Sequence, residues 1–312
     1  MFKQKLMMSL TFCAIAGCSS NKSEQSAPPQ AVSGTNKSLT LQMKGLEPMV
    51  GQHYEGWIVG TNSVVTTGRF NIEANGDVVS VNTDGVKLVK IGDKMSADFS
   101  YDSNAGDEGL FILTIEPNGD SDSKPSAIHY LAGDFSAKVA LASVSHAASL
   151  NQSFLSVSGG YILATPTNGA STDNQGIWFI DPQAGAASLN IPQLSSQWQY
   201  EGWIVNTQTG GVYSTGTFMN ASGLDSDAAG STAGSGGSPP FPGQDYITPA
   251  KILNDGNHLV VVSVEPVPDF DPTPFAIKIL AHPIALNAAV GTLIGLGNIV
   301  MGADISVTAT LQ

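Results

Sequence analysis

The residues in this chain best placed to do chemistry are carboxylates next to prolines. Glu116 and Glu265 each precede a proline, and each is followed by an Asp-x-Asp pair, Asp120/Asp122 and Asp269/Asp271. Two carboxylates brought into one cleft can serve as acid and base once burial raises one of their pKa values. Glu116 and Glu265 are thus the candidates for any hydrolytic work. Clustered Asp side chains in a loop also suit Ca²⁺, which takes about six to eight oxygens. Asp120, Asp122, Asp269 and Asp271 are weak calcium candidates on that ground, and Asp225/Asp227 form a third pair. EF-hand spacing is absent, and an Asp whose side chain accepts a backbone N–H two residues on builds a turn instead. Turn formation is the preferred reading of all three pairs.

Other chemistries find less support. His53, His129, His146, His258 and His282 are scattered, with no pair three or four apart to hold zinc. No G-x-S-x-G elbow occurs. Ser19-x-x-Lys22 and Ser121-x-x-Lys124 match S-x-x-K in letters alone, without S-D-N or K-T-G elsewhere. No Walker loop or G-x-G-x-x-G joins a strand to a helix. The sequence therefore assigns no catalytic residue and no cofactor.

Charge narrows the partners. The 312 residues carry 13 Lys+Arg against 26 Asp+Glu, a formal net charge of −13 that repels a phosphate backbone, so nucleic acid is not expected. Charged residues make up 12%, against roughly 25% in an average soluble protein, and Arg69 is the only arginine. Long salt-bridged helices cannot be built from that supply.

The N-terminus reads as an export signal. Lys3 and Lys5 precede an uncharged apolar run from Leu6 to Gly17, too short to span a bilayer as a helix. The run closes on Ile15-Ala16-Gly17-Cys18, which resembles the bacterial lipobox and implies cleavage before a lipidated Cys18. Residues 1–17 are then a lipoprotein signal peptide, and 18–37 are the lipidated cysteine with a Ser/Pro-rich flexible tether. Cleavage leaves 11 basic against 26 acidic residues, a balance of −15. With Cys13 removed and Cys18 acylated, no thiol remains for a disulfide or a thiolate metal site. Ser19 after the cysteine suggests outer-membrane sorting, facing the periplasm, if the cell is Gram-negative.

An internal repeat sets the domain count. Tyr54-Glu55-Gly56-Trp57-Ile58-Val59 recurs as Tyr200-Glu201-Gly202-Trp203-Ile204-Val205. Thr67-Gly68-Arg69-Phe70 recurs as Thr215-Gly216-Thr217-Phe218, and Leu113 to Ala132 aligns without gaps to Val262 to Ala281. The domains are therefore 38–150 and 151–312. The second carries a Gly/Ser/Pro-rich stretch, 221–244, read as a long inserted loop too poor in apolar residues to pack.

The periodicity is two. Alternating runs such as Leu39 to Met43, Val64 to Phe70, Leu110 to Ile115 and Leu259 to Val264 are bounded by Gly, Asn, Asp or Pro, with no sustained helical stripe. The fold class is all-β: two tandem antiparallel β-sandwich domains after the signal and tether. Alternation puts Glu, Trp and Val of YEGWIV on one face and Tyr, Gly and Ile on the other. Trp57 and Trp203 are expected in the core, and Glu55 and Glu201 should be satisfied by hydrogen bonds. The uncharged run from Ile284 to Met301 reads as buried terminal strands.

Each repeat resembles the extracytoplasmic C-terminal domain of anti-sigma-K factors, through a Leu-rich first strand, Tyr-x-x-Trp, small-Gly-x-Phe, a hydrophobic strand ending in Glu-Pro, and a Pro-containing return loop. Here these are Leu39 to Leu46, Tyr54 to Val59, Thr67 to Phe70, Leu113 to Pro117 and Pro125 to Gly133; the second copy follows, with His282 in place of the Gly. The resemblance implies a β-sandwich sensor or interaction module outside the cytoplasm. The family's cytoplasmic sigma-binding domain and transmembrane helix have no counterpart in this sequence.

Together these readings point to a non-catalytic, lipid-anchored envelope protein, a binding, sensory or structural module. Its partners would be the membrane, through the N-terminal lipid, and an unidentified envelope protein or glycan. An envelope hydrolase using the Glu/Asp residues at strand ends is the alternative. A regulator acting with a separate anti-sigma partner is a third reading, resting on family analogy alone.

Overall fold

Strands account for nearly all of the regular structure, as the period-two pattern requires. The computed structural model describes residues 36–102, 108–300 and 305–312. The signal peptide, Cys18 and most of the tether lie outside the described residues. The first strand already begins at Asn36, inside the segment read as tether.

Nine strands come from the first repeat: β1 (Asn36–Lys44), β2 (Gln52–Val59), β3 (Val64–Ile72), β4 (Val78–Val81), β5 (Lys87–Asp93), β6 (Ser96–Asp102), β7 (Leu110–Pro117), β8 (His129–Ser136) and β9 (Val139–Ala142). The remainder of the chain supplies β10 (Gly159–Leu163), β11 (Gly176–Trp178), β12 (Ile180–Asp181), β13 (Ala186–Ala187), β14 (Trp198–Asn206), β15 (Val212–Phe218), β16 (Gly243–Asp245), β17 (His258–Pro266), β18 (Lys278–Pro283), β19 (Ile294–Asn298) and β20 (Ser306–Leu311). A 3₁₀ turn, Ala170–Gln175, lies between β10 and β11.

The molecule is all-β, with separate sheets. One is a closed barrel of order β1-β20-β9-β8-β7-β2-β3-β4-β5-β6; the other has eight strands in the order β15-β14-β17-β18-β19-β10-β11-β16, and β12 pairs with β13 alone. The duplication is visible in both: β3-β2-β7-β8 and β15-β14-β17-β18 are the same four strands in the same order. Even the irregularities recur. A bulge falls between Gly56 and Trp57 and again between Glu201 and Trp203, and another falls at Leu113/Thr114 and at Val262/Ser263.

One strand crosses between the repeats. β20 pairs with β1, from Leu39↔Leu311 to Lys44↔Ser306, and with β9 on its other side. The sequence division at 150/151 places Ser306–Leu311 with the second repeat, whereas its backbone partners are all in the first. Residues Gly34–Gln312 accordingly form one compact unit. A single hydrophobic cluster runs from Leu39 to Ala309. At its centre Tyr130 lies 6.0 Å from Trp198 and 5.2 Å from Phe275, tying the two repeats together through rings.

The Gly/Ser/Pro-rich stretch 221–244 follows β15 as expected, but it packs. Its glycines admit the close approach. Gly234 N–H donates to Thr167 Oγ1 (2.9 Å) and Gly236 N–H to Thr167 O (2.8 Å), at separations where a Cβ on either glycine would strike Thr167. Ala229 is buried against Ile162 and Trp178. Small residues here allow burial by backbone contact rather than by large side chains. The run from 284 to 301 also departs from expectation. Its described residues, 284–300, hold the short β19 and turns, with Leu286, Val290 and Leu293 exposed, and Gly291, Gly295 and Gly297 leave little side chain to bury. No helix among the described residues is long and apolar enough to cross a membrane.

Candidate functional site

YEGWIV lies on β2 and β14, and alternation divides its side chains. Tyr54, Ile58, Tyr200 and Ile204 enter the main cluster. Trp57 takes the opposite face, packed with Ile112 and Ala132 in a separate small cluster. Both Trp57 and Trp203 are buried. The glycine between Glu and Trp makes room for a neighbour: a Cβ on Gly56 or Gly202 would lie 2.4 or 2.2 Å from Oγ1 of Thr67 or Thr215.

Behind each Trp runs a chain of polar groups. In the first repeat Trp57 Nε1–H donates to Thr114 Oγ1 (2.9 Å), the Thr114 hydroxyl donates to Glu116 Oε1, and Ser126 N–H donates to the same oxygen (2.9 Å). In the second, Trp203 Nε1–H donates to Ser263 Oγ (2.8 Å), the Ser263 hydroxyl donates to Glu265 Oε1, and Phe275 N–H completes the set (2.9 Å). Strand geometry explains the spacing, since Thr114 and Glu116, or Ser263 and Glu265, lie two apart and share a face. Glu116 and Glu265 are both 0% exposed. Burial raises Glu116 to about 7, and Glu55 adds to the effect; burial raises Glu265 to about 8, with Asp269 and Glu201 adding. In each, Oε2 is buried without a partner.

Glu55 and Glu201 form the second pair. Each accepts a hydroxyl hydrogen bond from the neighbouring strand, from Thr66 or Ser214. Here the copies diverge. Arg69, directly across from Glu55 in the β2–β3 ladder, brings Nε to 2.9 Å from Glu55 Oε2, an ion pair not aligned as a hydrogen bond. Opposite Glu201 stands Thr217. Burial pushes Glu201 up to about 7, with Asp269 and Asp227 contributing. Glu55 is also raised by burial, but Thr66 and Arg69 pull it back. Asp225 is raised to about 7 by burial and accepts the Gly243 N–H (2.8 Å).

The Asp-x-Asp pairs build matching turns. Asp122 N–H donates to Asp120 Oδ1 (3.0 Å) and Lys124 N–H to Asp122 Oδ1 (2.7 Å). Asp271 N–H donates to Asp269 Oδ1 (2.9 Å) and Thr273 N–H to Asp271 Oδ1 (2.9 Å). Asp227 N–H reaches Asp225 Oδ1 at 3.4 Å. Among the described residues no group of three or more His, Cys, Asp or Glu side chains is placed to hold a metal ion. The histidines stay apart, His53 on Asn118, His258 on Asp255 and His282 on Tyr161.

A cleft of about 480 Å³ opens where the loop between β1 and β2 meets the loop between β17 and β18. Its apolar lining is Met49, Val50, Pro266, Pro274 and Phe275, and its acidic lining is Glu47, Asp269 and Asp271. Neither Glu116 nor Glu265 reaches it. No family model, curated protein or solved structure matches the chain. Sequence reasoning reached Asp269 and Asp271 but missed Glu47 and Met49, which lie far from them in the chain. It also missed the Trp–hydroxyl–Glu chain, whose signal was present in the shared pattern of a hydroxyl residue two before Glu-Pro, Thr114 and Ser263.

Proposed function

We propose that this is a lipid-anchored, non-catalytic binding module of the cell envelope, attached through Cys18, with each repeat a sandwich-like β-body of the kind found in extracytoplasmic interaction domains. The observation that carries the reading is the closure of the repeated carboxylates. Glu116 and Glu265, the groups a hydrolase would use, are fully buried and bound to a hydroxyl and a backbone N–H apiece. A general acid must reach the bond it protonates, and these are held by their own strands and loops. Their raised pKa values follow from burial, and the tryptophan chain they terminate is a structural clamp repeated in both copies. What lies at the surface instead is the cleft between repeats, and junctions of this kind are favoured places for ligands.

Three experiments test the reading. Cys18→Ala should move the protein from the membrane fraction to the soluble fraction, and retention at wild-type levels would overturn the anchor. Pull-down from solubilised envelope should capture a component lost when the cleft is altered by Glu47→Gln and Asp271→Asn. Turnover of an envelope polymer, abolished by Glu265→Gln in a protein of unchanged melting temperature, would overturn the non-catalytic role.

A further inference from the structure

The cleft at the repeat junction has walls fixed in advance and a charge of one sign. On one wall Asn71, itself buried, accepts the Met49 N–H (2.9 Å) and donates to Met49 O (3.0 Å), while the Tyr54 hydroxyl donates to Glu47 O (2.9 Å). On the other wall the Asp269 and Asp271 turns are closed by their own backbone bonds. Gln52 Nε2 joins the two sides by donating to Pro268 O (2.9 Å). A ligand entering here meets little ordering cost, because the loops are already placed.

The lining contains three carboxylates, Glu47, Asp269 and Asp271, and no Lys, Arg or His. Among the described residues Lys278, 3.1 Å from Glu47, is the one cation in an ion pair with the set. The field of these carboxylates extends behind the lining. Asp269 is close enough to raise both Glu201 and Glu265, and Asp227 also raises Glu201. The internal duplication shows what is unbalanced. The equivalent carboxylate in the first copy, Glu55, faces the Arg69 guanidinium, whereas the residue across from Glu201 is Thr217. The second copy therefore keeps the carboxyl of that pair, Glu201, without the arginine that faces it in the first. The apolar part of the lining, Met49, Val50 and the prolines, offers surface to an aliphatic body rather than a flat aromatic platform for a sugar ring, since Phe275 is buried.

We infer that this cleft receives a lysine or arginine side chain carried on a short apolar stretch of a partner polypeptide. The inference rests on the binding-module reading and names the chemistry of its ligand. Cationic heads would meet Asp271 and Glu47 while the aliphatic stem lies along Met49 and Val50, the usual division of a long basic side chain.

The test is calorimetric titration of the mature protein in neutral detergent with an end-capped Leu-Lys-Pro-Leu-Lys-Pro hexapeptide. The same peptide with Glu for Lys, and chitotriose, serve as controls. The expected result is lysine-peptide binding with Kd below about 1 mM, weakened at least about threefold by raising salt from about 50 to 500 mM, as screening of a partly exposed ion pair requires. Asp271→Asn keeps an oxygen for the Thr273 turn and should weaken binding about fivefold or more, on the scale of one charge-assisted contact. Equal binding of both peptides, no binding of the lysine peptide at about 5 mM, which is weaker than about 3 kcal/mol, or binding of chitotriose alone would overturn the inference. An envelope partner captured equally by wild type and by Asp271→Asn/Glu47→Gln would overturn the cleft assignment and leave the binding role standing. Failure of that role shows separately, as polymer turnover.

Discussion

Replacing Thr217 by arginine should rebuild in the second repeat the ion pair that the first repeat already has. Thr217 faces Glu201 across β14 and β15, just as Arg69 faces Glu55 across β2 and β3. Glu201 titrates at about 7 in the folded protein, raised first by burial and then by Asp269 and Asp227, against an ordinary value of 4.5. Between those two values the folded chain holds a proton that the unfolded chain has released. The stability supplied by the neutral carboxyl is complete below pH 4.5 and is lost as pH rises through 7. A gap of about 2.5 pH units at about 1.4 kcal/mol each gives about 3 kcal/mol lost by pH 8. An arginine opposite the carboxylate should recover about 2 kcal/mol of this at pH 8 and close to nothing at pH 4.5, where the carboxyl is neutral in both variants. For a unit of this size that corresponds to a rise in Tm of about 4–8 °C at pH 8. Urea denaturation of both proteins at pH 4.5, 6 and 8 is the direct assay. Equal stabilisation at every pH would mean that the arginine acts through packing, and no gain at pH 8 would refute the placement of an uncompensated carboxylate at Glu201. The converse variant, Arg69→Thr, should lose stability at pH 8 and little at pH 4.5.

Further expectations follow from the same geometry. Glu265 titrates at about 8, so Glu265→Gln, which keeps an oxygen for Ser263 and Phe275 N–H, should flatten the loss of stability between pH 5 and 8; a pH profile unchanged by the substitution would contradict the assignment. Asp245 accepts hydrogen bonds from Thr167 N–H (3.0 Å), the Thr167 hydroxyl and Trp178 Nε1–H (2.8 Å). Asp245→Ala should therefore cost about 2–4 kcal/mol in unpaired buried donors and speed limited proteolysis within 221–244. Gly202→Ala places a methyl 2.2 Å from Thr215 Oγ1 and 2.7 Å from the Phe179 ring, while Gly56→Ala meets Thr67 Oγ1 at 2.4 Å but Phe111 only at 3.4 Å. Urea titration should show the second-repeat variant as the more destabilised of the two, by about 1–3 kcal/mol against wild type.

Much of the fold could be read from residues that repeat. YEGWIV marked β2 and β14, and the Glu-Pro frame marked the ends of β7 and β17, because a proline that cannot donate belongs where a ladder stops. Trp57 and Trp203 are both buried as their mid-strand position suggests, though Trp57 lies in a small cluster behind the sheet and neither joins the main core; alternation fixes which residues share a face but not which face meets the larger cluster. Two features resisted. The stretch 221–244 lacks the apolar residues by which packing is recognised, and its burial depends on glycines approaching Thr167, a partner more than sixty residues away. The cleft is assembled from Glu47 and Met49 on one side and Asp269 to Phe275 on the other, more than two hundred residues apart, and no local pattern records such a meeting. Within one strand, by contrast, the spacing of Thr114 and Glu116 contained the hydroxyl–carboxyl part of the clamp, and comparison of Arg69 with Thr217 contained the divergence of the copies at Glu55 and Glu201.

The position of β20 bears on how the molecule is made. A chain emerging N-terminus first presents β1 early, yet the neighbour that fills the ring between β1 and β9 is Ser306–Leu311. The ring cannot close until that segment, which follows the whole second repeat in the chain, is in place. Loop closure over such a distance is slow, and open edges recruit unwanted strands. Without Ser306–Leu311 the facing edges of β1 and β9 would have no strand between them, so the first repeat closes only through a segment that follows the second.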